Sequence, residues 1–176
     1  MGTVAFTGYR PEKMPFYEDE DDEIYIKFRV QLRRVIERLV ERGYTDFISG
    51  VAQGFDTWAA EDVLELKKKD KSLTLECAIP CPQQADKWEH SEQKRRKKIL
   101  HHATSQITTG DYPSKPNFLK RNRYMVDKAD VVVCAFDGQS GGTAYTVDYA
   151  IKHDKIVIQI SPSTLKVEII SKRTFD

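Results

Sequence analysis

The sequence predicts one α/β domain, residues 1–176, built on a mainly parallel, doubly wound sheet with helices on both faces. Three observations predict it. Short apolar runs alternate with longer amphipathic stretches along the 176 residues, the pattern of strand–helix–strand units. The strongest apolar run, Val131-Val132-Val133-Cys134-Ala135-Phe136, shows no polar alternation, as a strand covered on both faces requires. Several runs end at glycine before a helical stretch begins, and the length is that of one domain at roughly 100–200 residues.

Taken in order, Val4 to Thr7 is a strand ending at Gly8, followed by a polar loop that carries the acidic run Glu18 to Glu23. Ile24, Phe28, Leu32, Val35, Ile36, Leu39 and Val40 recur at spacings of three and four, one apolar helical stripe closed by Gly43. The acidic run precedes that helix, where its dipole favours negative charge. Asp46 to Ser49 is a strand and Asp56 to Lys69 a helix; Leu73 to Ile79 is a strand stopped by Pro80. Trp88 to His102 reads as a charged helix, Gln106 to Thr109 as a strand, and Asn117 to Lys128 as a helix. After the strand at 131–136, Thr143 to Lys152 is a helix with Ala144, Val147, Ala150 and Ile151 inward, and Ile156 to Ile160 is the last strand. The tail after Pro162 is expected to be a short appendage.

Composition narrows the function. Lysine and arginine number 28 against 27 aspartates and glutamates, a net charge of +1, so no bulk charge draws the chain to nucleic acid or to a membrane. No apolar run reaches the roughly 18 residues needed to span a bilayer, and the first residues lack the basic start of a signal peptide. Three cysteines, Cys77, Cys81 and Cys134, fit a reducing cytoplasm, and their spacing builds no zinc site. Lys94 to Lys98 is a basic run whose consecutive positions spread around a helix, so it reads as solvated surface. Trp58 and Trp88 read as packing residues.

In an open sheet of this kind ligands bind beyond the carboxyl ends of the strands. Three loops there combine glycine with small hydroxyls: Thr7-Gly8-Tyr9-Arg10-Pro11, Ser49 to Asp56 with Gly50 and Gly54, and Ser140-Gly141-Gly142-Thr143. Glycine lets backbone N–H groups approach an anion, helix starts add oriented donors, and Arg10 adds a charged fork for phosphate. Asp56 reads either as a helix N-cap or as an acceptor for a ligand hydroxyl such as a ribose. The loops contain neither the three-glycine dinucleotide fingerprint nor a P-loop lysine, so the site is assembled from several segments.

Together these segments resemble the YpsA-like family of the SLOG superfamily. The resemblance is carried by Thr7 to Pro11, Ile48 to Asp56 with Trp58 to Glu61, Arg121-Asn122-Arg123-Tyr124-Met125-Val126 before Ala129-Asp130, and Ser140 to Thr143. It implies a Rossmann-like fold and a nucleotide or nucleotide-derived ligand, such as a relative of NAD or ADP-ribose. Relatives of the LOG type hydrolyse nucleoside monophosphates, and the DprA group binds single-stranded DNA. In LOG-type enzymes an Arg-Lys pair precedes the aspartate-led strand; Arg121 matches the arginine and Asn122 replaces the lysine. Gly142-Thr143 matches their Gly-Thr, but Thr146 stands where their glutamate falls, and Asp148 lies two residues further round the helix. A missing carboxylate argues against glycosidic hydrolysis.

The expectation is therefore a cytoplasmic nucleotide-type binding protein, a sensor or regulator. Its site draws on Gly8, Arg10, Gly50, Gly54, Asp56, Arg121, Asn122, Ser140, Gly141, Gly142 and Thr143, with no metal and no cofactor beyond the suspected nucleotide. A phosphoribohydrolase and a single-stranded DNA-binding module are the alternatives, and the oligomeric state stays open.

Overall fold

The computed structural model describes residues 2–176. The strands are β1 (Gly2–Gly8), β2 (Tyr44–Ser49), β3 (Thr74–Ile79), β4 (Ser105–Thr108), β5 (Val131–Ala135), β6 (Ile156–Ile160) and β7 (Val167–Ile169). The helices are α1 (Glu23–Glu41), α2 (Phe55–Lys69), α3 (His90–His102), α4 (Lys115–Lys128) and α5 (Gly142–Lys152). All seven strands form one sheet in the order β4-β3-β2-β1-β5-β6-β7. Every pairing is parallel except β6 with β7. The chain winds outward from β1 to β4, then returns to lay β5 on the other side of β1. The winding reverses between β1 and β5, which is where an open α/β sheet leaves a crevice.

Alternation along the strands sorts residues to two cores. Val4, Phe6, Phe47, Leu75, Val131 and Val133 face α1, α2 and α3, while Ala5, Ile48, Ala78, Val132 and Cys134 face α4 and α5. The first face is the larger-residue one. There Phe16, Tyr25, Phe28, Phe55 and Trp58 interlock with ring centroids 5.3–6.2 Å apart, and Trp58 is fully buried. Truncating a buried tryptophan of this kind costs about 3–5 kcal/mol. The α4/α5 face is built from Ala, Val, Ile, Met and Cys, with no aromatic residue among its fully buried members.

Three sequence expectations change. Ile24 is exposed and Tyr25 takes the core position in the first turn of α1, where Asp22 caps the helix by accepting the Ile24 N–H; from Phe28 to Leu39 the expected stripe holds. The tail after Pro162 is no appendage: Val167–Ile169 folds back as β7 and covers the β6 edge. The basic run on α3 is only partly solvated. Lys94, Lys97 and Lys98 are exposed, but Arg95 is held by Glu18 and Glu61, and Arg96 donates to Gln84 Oε1 at 3.1 and 3.2 Å. Cys77, Cys81 and Cys134 are buried thiols. Burial pushes the Cys77 thiol up to about 12, which makes it inert packing. No helix among the described residues is long and apolar enough to cross a membrane.

Candidate functional site

The carboxyl ends of β1, β2 and β5 open into a cleft of about 570 Å³, within the roughly 300–1,000 Å³ typical of small-molecule sites. Of the residues expected at the site, Gly8, Arg10, Asp56, Arg121, Asn122, Gly142 and Thr143 line it. Gly50, Gly54, Ser140 and Gly141 do not. Gly50 and Gly54 are buried behind the wall, and Ser140 and Gly141 sit exposed beside it.

The loop after β1 is fixed by Tyr9. Its hydroxyl donates to Asp137 Oδ1 at 2.6 Å and accepts the N–H groups of Asp137 and Gln139 at 3.3 and 3.0 Å. Lys13, on the short 3-10 turn Pro11–Lys13, donates to the Ser140 carbonyl at 2.8 Å. The first and third loops are thereby joined.

The loop after β2 is bound from all sides. Ser49 Oγ donates to the Asp56 carbonyl at 2.8 Å and accepts the Val51 N–H at 3.1 Å. The Gly50 carbonyl accepts Gln84 Nε2 at 2.9 Å and Arg121 Nη1 at 2.7 Å. Val51, fully buried and β-branched, is held at φ 45°, a left-handed conformation such a residue adopts only under constraint. The glycine at 50 serves packing, since a Cβ there would lie 2.5 Å from Arg121 Nη1.

Asp56 is not the N-cap. Gly54 caps α2, with φ 84° and no side-chain bond, and Asp56 lies inside the first turn. Its carboxyl is buried, and Oδ1 has no hydrogen-bond partner. Burial pushes it up to about 6 against the pull of Arg121 and Arg10. Arg121 is itself buried, with Nη1 also donating to the Ala78 carbonyl at 3.2 Å and Nε to Asn122 Oδ1 at 2.8 Å. Desolvation lowers its pKa while Asp56 opposes that shift.

The third loop presents the start of α5. Gly141 is the residue with a glycine-only conformation, φ 141°, and a Cβ on it would meet Lys13 Nζ at 2.7 Å. Gly142 needs no special dihedral, and a Cβ there would meet nothing within 4 Å. Of the two glycines in this loop, Gly141 is therefore the one that needs glycine's backbone freedom. Thr146 is buried and donates to the Gly142 carbonyl at 2.9 Å, bracing the first turn of α5. Asp148 is exposed and does not line the cleft.

The expected set lacks eight lining residues: Thr7, Tyr9, Glu12, Lys13, Ala52, Lys115, Phe118 and Leu119. The last three carried a signal. With Asn122 they follow an i, i+3, i+4, i+7 spacing, a single face of α4. Arg10, Lys13, Lys115 and Arg121 outnumber Glu12 and Asp56 among the charged lining groups, so the cleft favours an anion.

Comparison with known proteins agrees with this fold. Residues 4–165 match the profile described as the YspA SLOG family. A UPF0398 protein of Bacillus pumilus (strain SAFR-032) is 25% identical over 180 residues, spanning 99% of this chain and 96% of that protein. A UPF0398 protein of Bacillus thuringiensis (strain Al Hakam) is 27% identical over 159 residues, 89% of this chain and 86% of that one. Among solved structures, DNA processing protein A from Helicobacter pylori, described for its single-stranded DNA binding mode, aligns with TM-score 0.59 at 20% identity. It covers 89% of this chain, which spans 64% of that protein. The Streptococcus pneumoniae DprA structure aligns with TM-score 0.63 at 21% identity, covering 94% of this chain, which spans 52% of it. These two likenesses are of fold. The profile match over nearly the whole chain, with relatives aligned along most of their length, makes this protein a member of the YpsA-type SLOG family.

Proposed function

We propose that the cleft binds a nucleotide or nucleotide-derived ligand, and that the protein acts as a sensor or regulator. The observation that carries this reading is the pairing of two unlike groups in one cleft: exposed Arg10 with the start of α5 at Gly142, and buried Asp56. A guanidinium and helix-start N–H groups suit a phosphate. A buried carboxyl suits a sugar hydroxyl. Family membership supports the same ligand class. Native mass spectrometry of freshly purified protein tests the reading: a bound nucleotide-mass adduct is expected. Its absence, together with no calorimetric binding of nucleoside mono- and diphosphates, overturns it.

Asp56 also favours a second reading. It is a carboxyl in the cleft held near a neutral working pH, as an acid–base group would be, so a phosphoribohydrolase is the runner-up. Asp148, exposed and outside the cleft, cannot replace the glutamate that Thr146 displaces. We expect only residual release of free base from nucleoside monophosphates. Robust release abolished by Asp56→Asn would establish the hydrolase instead. Binding of single-stranded DNA that weakens steeply with salt would favour the third reading, toward which the DprA likeness points.

A further inference from the structure

Phe118 is an apolar ring that folding does not use. It is half-buried and lines the cleft, and it belongs to neither hydrophobic core, as does its neighbour Leu119. The position is set by a well-defined helix start. Ser114 caps α4 by accepting the Asn117 N–H at 3.2 Å, and Pro116 stands in the first turn. Lys115, Phe118, Leu119 and Asn122 then share one face, which forms the cleft wall. The face of the Phe118 ring is met by Arg10, whose guanidinium carbon lies 5.9 Å from the ring centroid. Arg10 is exposed, and this ring is its partner.

An aromatic face covered by an exposed guanidinium is a surface that another flat group can take over. From this juxtaposition we infer that Phe118 is the stacking platform for a nucleobase, so the ligand is a base-bearing phosphate and not a bare sugar phosphate. The base would lie on the ring with Leu119 at its edge, displacing the guanidinium of Arg10 toward the phosphate. Stacking accepts any base, because every base has a π-face. Selectivity among bases would then fall to polar groups such as Lys115 and Asn122. The inference rests on the proposal that the cleft holds a phosphorylated ligand, and the test separates the two.

The four ribonucleoside monophosphates and ribose 5-phosphate are titrated by calorimetry into the wild-type chain and into Phe118→Ala, Phe118→Leu and Phe118→Tyr. Because Phe118 is outside both cores, the variants are expected to fold, which circular dichroism checks. Leucine keeps apolar bulk without the flat ring, and tyrosine keeps the ring. For the best-bound monophosphate, we expect about a 10-fold or greater loss of affinity in the alanine and leucine variants, near-wild-type affinity in the tyrosine variant, and no change toward ribose 5-phosphate. Equal wild-type affinity for the monophosphates and ribose 5-phosphate overturns the platform while leaving the phosphate site standing. So does a loss in Phe118→Ala that is equal for both probes, or full retention in Phe118→Leu. Wild-type binding of none of the five compounds overturns the platform, and where nucleoside diphosphates also fail to bind and no nucleotide-mass adduct is found, the phosphate-ligand reading falls with it.

Discussion

The loops after β2 and β5 reach the same cleft with the same residue type, and they use it in opposite ways. In the loop after β2 the missing Cβ of Gly50 is occupied by the protein itself, with Arg121 Nη1 at 2.5 Å and Asp56 Oδ2 at 2.9 Å from where that atom would stand. In the loop after β5 the missing Cβ of Gly142 leaves room in the cleft. The first glycine serves stability and the second can serve a ligand. What surrounds the absent atom decides between these roles, and glycine in the sequence does not.

The largest effect that could break this contrast is at Gly50. Gly50→Ala forces its methyl group into a buried guanidinium and carboxyl, and we expect a loss of about 3 kcal/mol in chemical denaturation. A loss below about 0.5 kcal/mol would mean that the loop can relax and that the two glycines do not differ.

Asp56, behind the same loop, sharpens the contrast through pH. Its folded-state value of about 6 lies above its ordinary 3.8. Ionising it is therefore harder in the fold than in the unfolded chain. Wild-type stability should fall as pH rises from about 4 to about 6 and stay level above that. Asp56→Asn lacks this penalty. It should be more stable than wild type by up to about 3 kcal/mol at pH 8, with the advantage shrinking toward pH 4. Thermal melts at both pH values check it, and a gap that does not change with pH would show that Asp56 ionises normally.

On the ligand side, Arg10→Ala should weaken binding of a co-purified or identified nucleotide by about 1.5–3 kcal/mol without altering the melting temperature, since Arg10 is exposed. Unchanged affinity by calorimetry would remove Arg10 from the site. A small stability effect is also expected at Gly142. Gly142→Val should stay within about 0.5 kcal/mol of wild type yet bind poorly, because its side chain would enter the space beside the helix start. Normal binding by this variant would make the third loop an ordinary turn.

Much of this was legible in the sequence, for reasons that can be named. Val131 to Ala135 was readable because a strand covered on both faces shows an unbroken apolar run. The α1 stripe was readable from its period, except in the first turn, where Tyr25 is buried in place of Ile24. β7 was not readable, because a three-residue edge strand that pairs on one side and is half exposed has no apolar signature. At the site, the three loops were legible because strand ends of a doubly wound sheet converge. The α4 wall was not. Phe118 and Leu119 look like core residues in any helical pattern, and only the fold reveals that they turn from the core to the cleft.

The Tyr9 hydroxyl, with its three bonds to Asp137 and Gln139, has a thermodynamic consequence for recognition. Five exposed residues between β5 and α5 would ordinarily have to be ordered when a ligand arrives, at a cost in entropy that weakens binding. Here folding of the core seats the Tyr9 ring, and the ring's hydroxyl arranges that loop in advance, with Lys13 holding its far end. Association then requires little rearrangement of the anion-facing side, so encounter with a ligand should be governed by diffusion and charge and not by the rate at which a loop finds its shape.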